Sequence, residues 1–187
     1  MSLMEEKVDS KLMLKYVALH RMMLIMYQHV HWGTKGTAYY ADHLLFERIY
    51  NKISEEIDSI AEKAVGLSSE LSICPIETTT SALELLKNIF PKFNISGDPH
   101  EFVEDMLIME NIFLEQNEKL YNKLEEEGSL TLGLDDLLTS IHSSHEENMY
   151  LLKQRYKVQS ISERQIEYKE EESEDEKDTA DDDIKTS

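Results

Sequence analysis

Five side chains able to bind a hard metal ion lie between residues 31 and 62: His31, His43, Glu47, Asp58 and Glu62. The last four fall into two pairs spaced four apart, so each pair sits on one face of a helix. On a single helical wheel, at about 100° per residue, all four occupy roughly a 100° arc. Two imidazoles and three carboxylates suit iron and also accept zinc, cobalt or manganese. The lack of a thiolate argues against a structural zinc site.

Helix geometry then sets a problem. Glu47 and Asp58 are eleven residues apart, about 16 Å along a helix axis, whereas the ions of a paired-metal site lie about 4 Å apart. One chain therefore cannot close all of these groups around one centre. Positions 43 and 62 are equidistant from the midpoint between residues 52 and 53, and so are 47 and 58. A second copy of the helix crossing antiparallel about a two-fold axis at that point brings 43 to 62 and 47 to 58. Two identical sites result, as an isologous dimer contact requires.

The run HVHWGTKGTAYYADHLLFERIYNKISEEIDSIAEKAVGL, residues 29–67, resembles the signature of the Dps mini-ferritins, DNA-binding proteins from starved cells. That signature has a His-Trp pair, a second His twelve residues on, an acid four after that, and an Asp-x-x-x-Glu pair. Here these are His31-Trp32, His43, Glu47, Asp58 and Glu62. The resemblance covers residues 5–158, strongly over 29–67. It implies an all-α fold, a ferritin-like four-helix bundle with a short helix in the long crossover between the second and third helices. It also implies a shell of twelve subunits built from two-fold dimers, with inter-subunit ferroxidase centres of two irons each. His31 and His43 would come from one subunit, Asp58 and Glu62 from its mate. The implied activity is oxidation of Fe(II), with hydrogen peroxide preferred over dioxygen, and storage of ferric mineral, which protects against oxidative damage. The family most often has Asp where Glu47 stands, so this chain's ligand is one methylene longer. The competing reading is a non-catalytic helical cage that keeps the ligands as a structural metal site at the dimer interface.

The elements that must carry these residues are legible from periodicity and punctuation. A first helix is expected over 10–32, ending at Gly33 and Gly36. Thr37 can cap a second helix over about 38–65, stopped near Gly66. Pro75, Pro91, a run of three threonines and Gly97 make residues 67–97 a long crossover with one short helix near 81–89. One long connection after the second helix is the ferritin-like topology. Asp98, Pro99 and Glu101 form an N-cap, first-turn proline and capping-box acid that open a third helix running to about Glu127. A fourth, about 134–158, carries Leu134, Leu138, Ile141, His145, Met149 and Leu152 on one face. His145 on that stripe is expected to be a core residue, and His20 a core or interface residue. Asp135 and Asp136 read as first-turn acids favoured by the helix dipole. Trp32 is either a packed aromatic at a helix end or a radical trap beside the metal.

Composition limits the function classes. The net charge is −19, of which residues 163–187, with twelve acids and four bases, contribute −8. Such a run with few apolar residues predicts a disordered acidic tail outside a domain of residues 1–162. A solubilising brush is the simplest role for it. Cys74 is the single cysteine, so no internal disulfide forms and a reducing compartment is expected. Residues 16–27, the longest apolar stretch, are interrupted by His20 and Arg21 and fall short of a membrane span. Glu5, Glu6 and Asp9 stand where a signal peptide carries positive charge. A cytoplasmic location is the expectation. Duplex DNA binding rests largely on Lys and Arg neutralising phosphates, and both parts of this chain are acidic. A gel shift at about 50 mM salt is expected to show no retarded duplex; a retarded band would overturn that expectation.

Overall fold

The computed structural model describes the backbone of residues 10–67, 73–90 and 99–183, and the side chains of 11–67, 73–90 and 101–157. Five helices follow in order: α1 (Ser10–Gly33), α2 (Tyr39–Leu67), α3 (Pro75–Ile89), α4 (Pro99–Glu126) and α5 (Leu132–Asp183). α1, α2, α4 and α5 make the four-helix bundle, while α3, in the crossover, packs on α1. The ferritin-like architecture expected from the sequence is present.

Helix α1 is buried nearly all round, through Met13, Tyr16, Val17, Leu19, Met22, Met23, Met26, Tyr27 and Val30. It has to be, because it faces α2, α3 and α4 at once. α2 instead buries one stripe: Phe46, Ile49, Ile53, Glu56, Ile60 and Ala64. At the end of α1, Gly33 lets α4 approach closely, since a Cβ there would lie 2.8 Å from the Phe102 ring. Gly128, at φ +67°, ends the α4 turn in a conformation that side chains disfavour. Its neighbours return their N–H groups to the helix, Ser129 N and Leu130 N both donating to the Leu124 carbonyl, at 2.9 and 3.1 Å. Thr131 Oγ1 then caps α5 by accepting from Leu134 N at 3.2 Å.

One element differs from its sequence-based expectation. α3 begins at Pro75, six residues before the expected start. Proline in the first turn costs no hydrogen bond, and Thr78 Oγ1 donates back to the Cys74 carbonyl at 3.0 Å, so the three threonines extend the helix. The backbone of α5 continues past residue 162 to Asp183. Glu and Lys are favourable helix formers, and nothing in their composition breaks the helix. The last four residues lie outside the described ones, as do Asp98 and Gly97.

A layer of buried polar groups crosses the bundle. His145 of α5 is fully buried, with Nδ1 donating to Glu110 Oε2 of α4 at 2.6 Å and Nε2 lying 3.1 Å from Glu56 Oε2 of α2. Tyr27 of α1 donates to Glu110 Oε1, and Tyr16 of α1 to Asn117 Oδ1 of α4. His20 Nδ1 donates to the Tyr16 carbonyl at 2.9 Å, which leaves His20 Nε2 buried without a partner. An orphaned buried nitrogen costs about 1–3 kcal/mol. Near the open end of α2, Arg155 of α5 makes a two-pronged ion pair with buried Asp42, at 2.5 and 2.9 Å.

Burial alone would lower the His145 pKa, but the carboxylates of Glu110 and then Glu56 outweigh it and raise the value to about 9. His20 is lowered to about 4, by burial and then by the charge of His145. These shifts have opposite linkage signs. His145, raised from 6.5, stabilises fully below pH 6.5 and loses that contribution as pH rises through about 9. His20, lowered from 6.5, contributes above pH 6.5 and loses the contribution as pH falls through about 4. Urea midpoints of chelator-treated protein are therefore expected to fall on both sides of about pH 6.5. His145→Ala should cost about 3–5 kcal/mol, because two carboxylates are left buried without their cation, and should make the alkaline fall shallower. An unchanged alkaline slope in this variant would refute the assignment.

Candidate metal centre

The last turn of α1 and the first turns of α2 meet across a short connection that turns at Gly36, φ +81°. This brings His31 and His43 together with their rings stacked, centroids 3.7 Å apart and planes 21° from parallel. Each ring is tied to the other residue's backbone. His31 Nδ1 donates to the His43 carbonyl at 2.9 Å, and His43 Nδ1 donates to the His31 carbonyl at 3.1 Å. A carbonyl only accepts, so each Nδ1 carries a proton, and Nε2 is the ring nitrogen that faces away from these bonds and is left for a metal ion. Tyr50 packs edge-on against His31 and Tyr39 stacks on His43, each at 5.1 Å. Thr34 Oγ1 adds a second bond to the His31 carbonyl, at 2.9 Å. Both imidazoles are thus oriented before any ligand arrives.

The carboxylates are placed differently. Glu47, one turn beyond His43, is half-buried, while Asp58 and Glu62 are exposed further along α2. The helix axis keeps Asp58 about 16 Å from Glu47, so one chain joins the two histidines but does not bring the acids Asp58 and Glu62 to them. Trp32, next to His31, is 73% exposed, and Tyr40 and Leu44 are exposed beside His43. Aromatic and aliphatic groups left in solvent around two preset imidazoles form a surface that lacks a cover.

A second cluster lies in the bundle centre. Ligand atoms of His20, Glu56 and His145 lie within 4.8 Å of one another, the one such group of three among the described residues. The core placement expected for His20 and His145 is what the structure shows, but Glu56 and Glu110 escaped the sequence reading. A signal existed: Glu56 occupies a position of the α2 apolar stripe between Ile53 and Ile60, and Glu110 lies next to Met109 in a buried stretch of α4. A carboxylate in register with a core stripe is buried, and a buried carboxylate needs a partner. Burial works against charge on Glu56, but its hydrogen bond to His145 and that residue's charge hold its carboxyl below the usual value. Asp135, expected as a first-turn acid, accepts from Tyr121 at 3.1 Å, a bond between α4 and α5. No helix among the described residues is long and apolar enough to cross a membrane.

No family profile matches the chain. General stress protein 20U of Bacillus subtilis is 27% identical over 139 residues, covering 74% of this chain and 90% of that protein. The DNA protection during starvation protein of Helicobacter pylori is 28% identical over 137 residues, covering 70% and 90%. Among solved structures, Dps from Thermosynechococcus elongatus superposes with a TM-score of 0.67 at 21% identity, covering 78% of this chain and 87% of that one. The Vibrio cholerae Dps structure, described as a member of a broad superfamily of ferritin-like diiron-carboxylate proteins, gives a TM-score of 0.64 at 19% identity, covering 77% and 86%. Helix order and crossover agree with these structures, and the chain has the ferritin-like fold and is similar in sequence to these stress and starvation proteins.

Proposed function

We propose that the chain is a ferroxidase and iron-storage protein of the Dps type, acting on Fe(II) at sites shared between two copies and protecting against oxidative damage. The observation that carries this reading is the reciprocal tie between His31 and His43, which holds two Nε2 lone pairs ready with no reorganisation left to make. Glu47 of the same chain and Asp58 and Glu62 of a second copy complete the ligand set, through the antiparallel crossing of α2 about residues 52 and 53. Their charge offsets that of two iron ions per site and favours the ferric state. The exposed Asp58 and Glu62, and the uncovered Trp32, Tyr40 and Leu44, support a covering by a second copy. A shell of twelve copies in the cytoplasm extends this dimer, with the mineral stored inside. Hydrogen peroxide is the preferred oxidant, taking one electron from each of two ferrous ions. Glu47 reaches one methylene further than Asp, and its half-buried carboxylate stays one turn from His43.

In an anaerobic Fe(II) titration followed by peroxide, a fast rise in ferric absorbance is expected. His31→Ala or Asp58→Ala should each slow it by at least about tenfold, the smaller end of what even supporting residues of a metal site cost. An equal rise in both variants would overturn the reading. Native mass spectrometry should give a particle of twelve chains, and a monomer would remove the shared site. Mixing His31→Ala with Asp58→Ala subunits should restore part of the activity in the hybrid particle, because a dimer with one subunit of each variant keeps one of its two sites intact.

A further inference from the structure

We propose a second metal site in the centre of the bundle, complete within one chain: a single divalent first-row transition ion held by His20 Nε2, His145 Nε2 and Glu56 Oε2. The three groups come from α1, α5 and α2, and their ligand atoms lie within 4.8 Å of one another. None belongs to the His31 and His43 surface. The site is chemically separate from the shared one and does not depend on dimer formation.

Four observations converge on it. First, both imidazoles are anchored through Nδ1, His20 to the Tyr16 carbonyl at 2.9 Å and His145 to Glu110 Oε2 at 2.6 Å. An outer acceptor on one ring nitrogen is how metal-binding histidines are oriented, with the other nitrogen left for the ion. Second, His20 Nε2 is buried and has no hydrogen-bond partner. A purely structural network would have paired it, as buried polar atoms nearly always are. Third, Phe113 sets the angle of both rings, lying edge-on to His20 at 4.8 Å and stacked on His145 at 3.8 Å. Fourth, Glu56 opens to the surface. With Lys52, Glu55, Ser59 and Ser140 it lines a hollow of about 180 Å³ between α2 and α5, which supplies the entry path a buried site requires.

Charge favours occupancy. Two carboxyl groups, Glu56 and Glu110, contact the His145 ring inside the bundle. A divalent ion beside two neutral imidazoles balances both carboxylates. Two imidazoles and one carboxylate, with no thiolate, match ferrous, manganous, cobaltous or zinc ions rather than calcium or magnesium. Glu110 acts as a positioning residue, holding His145, with Tyr27 and Asn148 fixing its other oxygen.

The test uses full-length protein with His31→Ala and His43→Ala, which disables the shared site, and Co(II) as the probe. Dialysis and elemental analysis are expected to give one Co(II) per chain, with visible ligand-field bands and X-ray absorption features of two imidazoles. Adding Glu56→Gln, close in shape to the native side chain, should weaken binding at least tenfold, and His20→Gln likewise. Circular dichroism checks folding, and if His20→Gln fails to fold, Glu56→Gln decides. No Co(II) bound in the His31→Ala, His43→Ala protein, or undiminished binding after Glu56→Gln, overturns the proposal. Loss of peroxide-driven iron oxidation in the starting double variant bears only on the shared site, so the two readings fail separately.

Discussion

Burying a charge inside a four-helix bundle constrains every helix around it, because the charge must be met by partners that reach it from different directions. In this chain the group is His145. Its two ring nitrogens face Glu110 of α4 and Glu56 of α2, and Glu110 in turn takes the Tyr27 hydroxyl of α1. One imidazole thereby fixes the rotation of three helices about their axes, something apolar packing specifies less sharply. The rest of the core, largely Met, Leu and Ile with Phe46, Phe102 and Phe113, fills the space that this polar layer defines. Burial of that polar layer is tolerated only because its members satisfy one another, apart from His20 Nε2.

The His31 and His43 pair depends on the same frame. α1 is held along its length by α2, α3 and α4, with Gly33 packed closely against Phe102. Its final turn is therefore positioned when α2 begins, and the short connection through Gly36 leaves little choice in where His43 falls. The two rings then lock each other through backbone carbonyls. Orientation by main-chain acceptors is rigid, since those atoms move only if the helix ends move. An exposed acid such as Asp58 has no comparable restraint.

The two clusters place candidate metal ligands in two different settings. One is buried and self-contained, with its ligands drawn from three helices of the same bundle. The other is superficial and half-built, with stacked imidazoles on one side and an uncovered apolar fringe. α2 contributes to both from different faces: Glu56 lies on its core stripe, while His43, Glu47, Asp58 and Glu62 lie on the outer one.

The amino-acid sequence alone determined the helices, their order and the long crossover, because helical periodicity, capping residues and turn glycines act over a few neighbouring positions. It also determined the outer stripe on α2 and its symmetry about residues 52 and 53, both consequences of a fixed rise and rotation per residue. Local signals were weaker where a residue plays against type: Pro75 opens α3 instead of breaking the chain. Distances between helices were not in the sequence. That His31 stacks on His43, and that Glu56 and Glu110 flank His145 beside His20, depends on how far apart packed helices stand and how each is rotated. Only tertiary structure sets those quantities, because they follow from the joint packing of side chains distant along the chain, here 89 residues between Glu56 and His145.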